Sequence, residues 1–178
     1  MLINSISMSN AVIVGYARTP FASFLGKLGG VSAVELGAHA IEGAMGNSGV
    51  RKREVEMVVM GQVLTAGCGQ NPGRQAAMKA GIPTSADVYG INKVCASGMK
   101  AINIAASEVM SGCKIAVAGG MESMSNVPHI LRKLRTGAVK VGNVNMEDIL
   151  ISDGLLSFNF GEDACSSIGI QVMPTKEL

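Results

Sequence analysis

The chain has 178 residues, of which 48% are hydrophobic and 16% are charged, and its formal net charge is +2. These values are typical of one folded domain with its own core, and they argue against an intrinsically disordered chain. The balanced charge and the aromatic content of only 3% argue against a nucleic-acid partner. No apolar run is long enough to predict a membrane span.

Four cysteines stand at positions 68, 95, 113 and 165. They form no C-x-x-C pair, and no His lies at metal-ligand spacing, so the pattern indicates neither a disulfide framework nor a metal site. Reduced cysteines and the absence of a recognisable secretory or transit segment at the N-terminus predict a cytoplasmic protein. A mitochondrial location is the alternative if the natural N-terminus is longer.

The first part of the chain predicts strands and helices in alternation. Residues 11–14 form a short β-branched run, typical of a strand buried on both faces. Ser32 and Glu35 form a capping box that predicts a helix ending near Gly49. A second buried strand is predicted at residues 57–60.

The alternation continues through the middle of the chain. Pro72 predicts the first turn of a short helix through Lys79. A strand at about 88–94, a helix at about 96–111 and a strand at 115–118 follow. The order β-α-β-α-β-α-β predicts a layered α/β fold with largely parallel strands. The helix at 96–111 has almost no polar face, which predicts burial within a larger body or at a subunit interface.

Beyond Gly120 the pattern weakens. Residues 121–154 are interpreted as a loop region, and residues 155–178 as a tail of unknown structure. The loop region carries four positive charges, which favour a solvated loop over a phosphate-binding surface; they are Arg132, Lys133, Arg135 and Lys140.

Cys95 is the candidate nucleophile. It falls where a predicted strand meets the N-terminus of a predicted helix, and the free N–H groups and dipole of a helix N-terminus favour the thiolate form of a cysteine. The alternative is that Cys95 is a small buried hydrophobic side chain, as most cysteines are.

The residues around Cys95 resemble a known motif. Residues 92–101 read NKVCASGMKA, which resembles the nucleophile motif of thiolases and, within them, of acetyl-CoA acetyltransferases. Three other segments resemble the same family in the same order along the chain: RTP at 18–20, GQNPGRQA at 69–76 and VAGGMESMS at 117–125. The resemblance extends from about residue 11 to Gly154.

This resemblance implies the N-terminal half of the thiolase-like layered α/β fold. Residues 1–154 would form the thiolase N-terminal domain, with its core at about 11–120 and the start of a loop region at 121–154, and residues 155–178 would be a divergent tail. It also implies an acyltransferase of lipid metabolism that forms or thiolyses acetoacetyl-CoA through a Cys95 acyl-enzyme. The substrates would be coenzyme A thioesters, acetyl-CoA and acetoacetyl-CoA, with no bound cofactor and no metal. The partner would be a second copy of the chain or a full-length thiolase.

The sequence departs from the family in its remaining catalytic groups. Thiolases use a Gly-His-Pro histidine, a Cys-x-Gly cysteine and an Asn-Glu-Ala-Phe-like motif, all from a second half, and these 178 residues contain none of them. Cys68, Cys113 and Cys165 lack the Cys-x-Gly context, and His129 matches no catalytic position. The family's His-Met-Gly segment, expected shortly after Leu155, is replaced by residues 158–161, which read FNFG.

Three hypotheses follow. In the first, the chain is a thiolase-type acyltransferase fragment, truncated and inactive by itself because a nucleophile without its base is slow. In the second, it is a non-catalytic fragment that acts as an interaction or dimerisation module. In the third, it is a free-standing cysteine enzyme with His129 as base.

Overall fold

Three parallel strands and three helices alternate in the first of two compact units, which ends at Asn126. The computed structural model describes residues 10–137 and 141–155. The strands are β1 (Met57–Gly61), β2 (Asp87–Ile91) and β3 (Ala116–Gly120), and the helices are α1 (Ala33–Ser48), α2 (Pro72–Lys79) and α3 (Ser97–Met110). β1 is central, in the order β2-β1-β3, with Val58 opposite Val88 and Val117. The predicted α/β class with parallel strands is confirmed.

The helix termini follow the local sequence signals. Ser32 Oγ accepts a hydrogen bond from the Glu35 backbone N–H at 3.2 Å, and Glu35 Oε2 accepts one from the Ser32 backbone N–H at 3.0 Å. Gly49 caps the C-terminus of α1, with a φ of 70° and a left-handed conformation that suits glycine. Pro72 begins α2, and Asn71 caps it by accepting from the Arg74 N–H at 3.1 Å. Both predicted helix starts are confirmed.

Helices cover both faces of the sheet. One hydrophobic cluster joins α1 and α2 to one face of the strands; its buried members include Val34, Ala38, Ile41, Met45, Val58, Met60, Ala76, Ala77 and Val88. Side chains alternate along a strand, so Val59, which is fully buried outside this cluster, points to the other face. There α3 contacts β1 and β3 and buries Ala101 and Ala105. This layering places the N-terminus of α3 at the carboxyl end of β1.

The prediction of a first strand at residues 11–14 is wrong. Residues 11–14 belong to no strand in the structure, and Val12, Ile13 and Val14 are exposed by 74%, 80% and 61%. The chain here is tied instead to α1, where Asn47 Nδ2 donates to the Tyr16 carbonyl at 2.9 Å. A strand needs a neighbour for its backbone N–H and C=O groups, and no described strand lies beside this segment.

The predicted burial of the third helix is only partly correct. α3 buries Ser97, Ala101 and Ala105, whereas Met99 is 64% exposed and Ile102 and Met110 are also exposed. The exposed apolar residues lie on the helix face that the sheet does not cover. A helix can bury its whole circumference only between two layers, and the described part of this unit supplies one.

The second compact unit begins at Val127 and has little regular structure among its described residues. A short strand, His129–Ile130, pairs antiparallel with Glu147–Asp148, and a π-helical turn spans Leu150–Leu155. Arg132 donates to the Glu147 carboxylate at 3.0 Å, so one of the four positive charges of the predicted loop region is paired with an acidic side chain. Lys140 and residues 156–178 lie outside the described residues. No described helix is long and apolar enough to cross a bilayer.

Candidate active site

Cys95 lies in a tight turn, residues 92–96, that connects β2 to α3. The strand ends at Ile91, three residues earlier than predicted, and α3 begins at Ser97. Cys95 is exposed, so the alternative role as a buried hydrophobic side chain does not apply. The structure thus places this residue, accessible to solvent, at the N-terminus of α3; its role as a nucleophile stays a prediction.

The backbone of this turn is strained. Val94, immediately before Cys95, has a φ of 50°, in the left-handed region that a β-branched residue rarely adopts. This conformation costs about 1–2 kcal/mol for a residue with a Cβ atom. The turn therefore requires several favourable contacts to persist.

Two side chains supply these contacts. Asn92 Oδ1 accepts from the Val94 N–H at 2.8 Å. Ser97 Oγ accepts from the Lys93 N–H at 2.8 Å and donates to the Val94 carbonyl at 2.6 Å. Each such bond contributes about 0.5–1.5 kcal/mol net, so three of them together offset the strain at Val94. Ser97 is buried, whereas Asn92 is exposed.

Three glycines allow α3 to approach the sheet closely. A Cβ atom on Gly61 would lie 2.5 Å from the carbonyl carbon of Ser97 and 2.6 Å from the backbone nitrogen of Gly98. A Cβ atom on Gly120 would lie 3.4 Å from the Cα of Gly98. Because these contacts are with backbone atoms, a side chain at Gly61 leaves no room for the first turn of α3. The position of Cys95 therefore depends on the absence of a side chain there.

A cavity of about 420 Å³ lies beside this turn, at the carboxyl ends of β1 and β2 and at the start of α2. Asn92, Val63, Gln62 and Asn71 are among its lining residues. Parallel sheets commonly bind ligands beyond the carboxyl ends of their strands. Gln62 is only 4% exposed; its Nε2 donates to the Leu64 carbonyl at 2.8 Å, while its Oε1 has no partner among the described atoms.

Glu122 holds the loop that follows β1. Its carboxylate accepts from the Val63 N–H at 2.8 Å and from the Leu64 N–H at 3.2 Å. Burial raises the pKa of Glu122, and the two backbone N–H donors oppose that rise only in part. Asn92 Nδ2 donates to the carbonyl of Val63 at 3.4 Å. The Cys95 turn is thus joined to Glu122 through the Val63 backbone.

The raised pKa of Glu122 predicts a pH dependence of stability. The folded state binds this proton more tightly than the unfolded chain, so stability falls as pH rises from the ordinary pKa of a glutamate, about 4.3, through the raised value. Glu122→Gln removes this ionisation. We expect the unfolding free energy of the variant, relative to wild type, to increase with pH across that window in urea titrations.

Glu42→Gln is the matched control for this prediction. Glu42 lies on the exposed surface of α1, 3.7 Å from His39, and its replacement changes the net charge by the same amount. A pH profile that is equally steep for the wild type and Glu122→Gln would contradict the assignment.

The other predicted residues lie apart from the Cys95 turn or outside the described residues. Cys113 follows α3 at its far end, and burial, together with the nearby Glu56 carboxylate, raises the pKa of its thiol. Cys68 is partly buried, and its Sγ accepts from Gln62 Nε2 at 3.4 Å. His129 belongs to the second unit, where its Nε2 lies 3.8 Å from Asp148 Oδ2. Cys165 is not among the described residues.

Sequence reasoning missed Ser97, Asn92, Gly61 and Glu122 as supports of the turn. Asn92 and Ser97 stood within the recognised motif, and an Asn or Ser two or three residues from a cysteine is the only local signal they carried. Gly61 and Glu122 lie far from Cys95 in the sequence, and nothing local relates them to it.

Two backbone N–H groups at the start of α3 are already paired within the turn. The N–H groups of Ala96 and Ser97 already donate to the carbonyls of Lys93 and Val94, at 3.1 and 3.0 Å. These two N–H groups are therefore not free to bind an oxyanion. Among the described residues, no three His, Cys, Asp or Glu side chains are grouped so as to hold a metal ion.

Comparison with known proteins identifies the family of this fold. Residues 11–167 match the family model described as thiolase, N-terminal domain. The chain is 48% identical over 149 residues to a probable acetyl-CoA acetyltransferase of Escherichia coli, covering 83% of this chain and 38% of the relative. It is 49% identical over 150 residues to a mitochondrial acetyl-CoA acetyltransferase of Bos taurus, covering 84% of this chain and 35% of that relative. The matched region extends past Gly154; the predicted domain boundary there stays a prediction.

The solved structures agree with this assignment. A thiolase from Ascaris suum, crystallised in complex with coenzyme A, superposes with a TM-score of 0.79 at 40% identity, covering 83% of this chain and 38% of that one. The chain thus spans less than two-fifths of the length of these relatives. The chain belongs to the thiolase family, and residues 11–167 match the N-terminal domain of that family.

Proposed function

We propose that this chain carries the nucleophile half of an acetyl-CoA acetyltransferase, which forms or thiolyses acetoacetyl-CoA through an acyl-enzyme on Cys95. In the first step the Cys95 sulfur attacks the thioester carbonyl, the bond from that carbonyl to the coenzyme A sulfur breaks, and coenzyme A leaves as the thiol. In the second, another acetyl-CoA loses an α-proton to a base that the whole enzyme supplies, the resulting carbanion attacks the acyl carbon, and the bond from that carbon to the Cys95 sulfur breaks. Thiolysis is the same sequence in reverse.

The exposed position of Cys95 at the start of α3 is the observation that carries this proposal. A thiolate both attacks and leaves well, which suits a reaction that divides one difficult step into two. Coenzyme A is bound in the Ascaris thiolase structure, and the named relatives are acetyl-CoA acetyltransferases, which supports coenzyme A thioesters as the substrates. We propose no bound cofactor and no metal ion.

Transfer of an acetyl group to Cys95 tests the proposal directly. The purified chain is incubated with acetyl-CoA, and each cysteine-containing peptide is examined by mass spectrometry for one added acetyl group. We expect the label on Cys95 and its loss in Cys95→Ser, while Cys113→Ser retains it. Equal labelling of Cys95 and Cys113, or none on Cys95 when a full-length relative is labelled under the same conditions, would reject this role.

A second candidate function is an interaction module, and exposed apolar surface favours it. The uncovered face of α3 presents Met99, Ile102 and Met110, and the unpaired residues 11–14 are exposed as well. β2 and β3 each have one edge with no described strand beside it. Apolar patches and free strand edges of this kind favour association with another protein chain. We propose a second copy or a full-length thiolase as the partner.

This candidate predicts that the chain associates at micromolar concentration. In sedimentation velocity we expect dimers or larger species for the wild type and a shift to smaller species for the double variant Ile102→Gln/Met110→Gln. Val141→Gln is the control, because Val141 is 98% exposed and lies in the second unit. Co-purification with a tagged full-length thiolase would identify that partner, whereas a monomer with a sharp two-state melt would argue against the whole candidate.

The cytoplasmic location also stays a proposal, with mitochondria as the alternative. Relatives include bacterial proteins and proteins named as mitochondrial. Fractionation of the source cells followed by detection with an antibody to this chain would decide between the two.

A further inference from the structure

We propose that Asn92 and Ser97 are positioning residues for Cys95: together they hold the strained turn at residues 92–96 in the conformation that leaves Cys95 exposed at the start of α3. The inference rests on the proposed function in treating Cys95 as the nucleophile. Nothing in the chemistry of acyl transfer requires these two side chains, so the assignment depends on their contacts in the structure.

The first support is the strain at Val94. A valine at a φ of 50° returns to an ordinary conformation unless its surroundings prevent it, and strained backbone persists where neighbouring contacts over-determine it. Asn92 binds the N–H of this residue and Ser97 binds its carbonyl, so both peptide groups that flank Val94 are held by side chains. If either side chain were shortened to Ala, one of these peptide groups would lose its side-chain hydrogen bond and keep only a backbone one, from the Ala96 N–H to the Lys93 carbonyl or from the Ser97 N–H to the Val94 carbonyl.

The second support is the difference in anchoring between the two residues. Ser97 is buried at the first position of α3, against Gly61, and its hydroxyl binds both Lys93 N–H and Val94 C=O. The Asn92 side chain accepts from the Val94 N–H and donates to the Val63 carbonyl. Val63 lies in the loop whose backbone N–H groups donate to Glu122. The turn is therefore fixed at one end to the helix and at the other end to the loop after β1.

Rotation of the Val94 peptide groups would move Cys95 relative to the N-terminus of α3. The favourable interaction of a thiolate with a helix N-terminus falls off within the first turn, so a small displacement reduces it. The expected consequence is a slower reaction of Cys95 with any electrophile, including reagents that have no affinity for an acyl-CoA site.

Alkylation by iodoacetamide tests the inference. The 178-residue chain and its variants are treated at one pH, and the rates at Cys95 and Cys113 are measured in the same sample by peptide mass spectrometry. We expect Asn92→Ala and Ser97→Ala each to lower the Cys95-to-Cys113 rate ratio about two- to fivefold. Asn92→Ser, whose hydroxyl is able to accept from the Val94 N–H as an ST-turn does, should restore the ratio.

Ser107→Ala is the matched control, because Ser107 lies exposed on the same helix and donates to the Asn103 carbonyl without touching the turn. An unchanged ratio in folded Asn92→Ala and Ser97→Ala would overturn the inference, as would a ratio in Asn92→Ser as low as in Asn92→Ala. If Ser97→Ala does not fold at the assay temperature, the comparison of Asn92→Ala with Asn92→Ser decides. If Cys95 never accepts acetyl while the ratio falls as expected, the proposed function fails and the positioning role stands.

Discussion

The purified 178-residue chain is expected to thiolyse acetoacetyl-CoA at least about 10²–10⁴ times more slowly than a full-length relative, because one positioned general base contributes a factor of this size. The family's Gly-His-Pro histidine and Cys-x-Gly cysteine do not occur in these residues. Cys95 would therefore have to attack and be released without its base and without a group that moves the α-proton. The measurement is the loss of acetoacetyl-CoA absorbance in the presence of free coenzyme A.

Two variants define what any residual rate means. Cys95→Ser sets the background, and a wild-type rate above it would be due to the thiol. His129→Gln tests the remaining alternative, a cysteine enzyme with its own base; His129 contacts Asp148 within the second unit. A wild-type rate close to that of a full-length relative, lost in His129→Gln, would show that the chain contains a base after all.

Gly61→Ala is expected to lower the free energy of unfolding by about 3 kcal/mol, at the upper end of the range for overpacked sites. The added Cβ would lie 2.5 Å from the Ser97 carbonyl carbon and 2.6 Å from the Gly98 nitrogen. Both are backbone atoms at the start of α3, so relief requires the whole first turn of the helix to shift. Such a loss is a large part of the roughly 5–15 kcal/mol that stabilises a typical domain. Urea unfolding followed by circular dichroism measures it.

Gly46→Ala is the control for this substitution. Gly46 lies in α1 with nothing within 4 Å of the position that its Cβ would occupy, so the same change there should stabilise the chain by about 0.5–1 kcal/mol. Neither glycine has a positive φ, so the pair differs in what the new methyl group meets. Equal effects at the two positions would show that α3 does not approach β1 as closely as the structure indicates.

The coarse elements of the fold could be predicted because their signals are local. The capping box of Ser32 and Glu35 involves residues three apart, and Asn71 and Pro72 start α2 through contacts within one turn. The buried strand around Val58 and Val59 was recognisable from its apolar run, and β3 began within a residue of its predicted start. Such patterns depend on neighbours in the chain, which the sequence displays directly.

The prediction of a first strand and the prediction that α3 is buried on its outer face were wrong for the same reason. Both predictions assumed a layer on each side of an apolar segment, and whether such a layer exists depends on residues distant in the sequence. Residues 11–14 have the composition of a buried strand but no strand beside them. Met99 and Ile102 have the composition of a buried helix face but no second layer over them.

By itself, the amino-acid sequence determined the α/β class, the family resemblance and the choice of Cys95, since these rest on residue types and their spacing. Only the tertiary structure decided how Cys95 is held. The strain at Val94, the hydrogen bonds from Asn92 and Ser97, and the space left by Gly61 arise from the backbone path. That path is set by α3 lying against β1, a contact between residues more than thirty positions apart, which no local pattern in the sequence records.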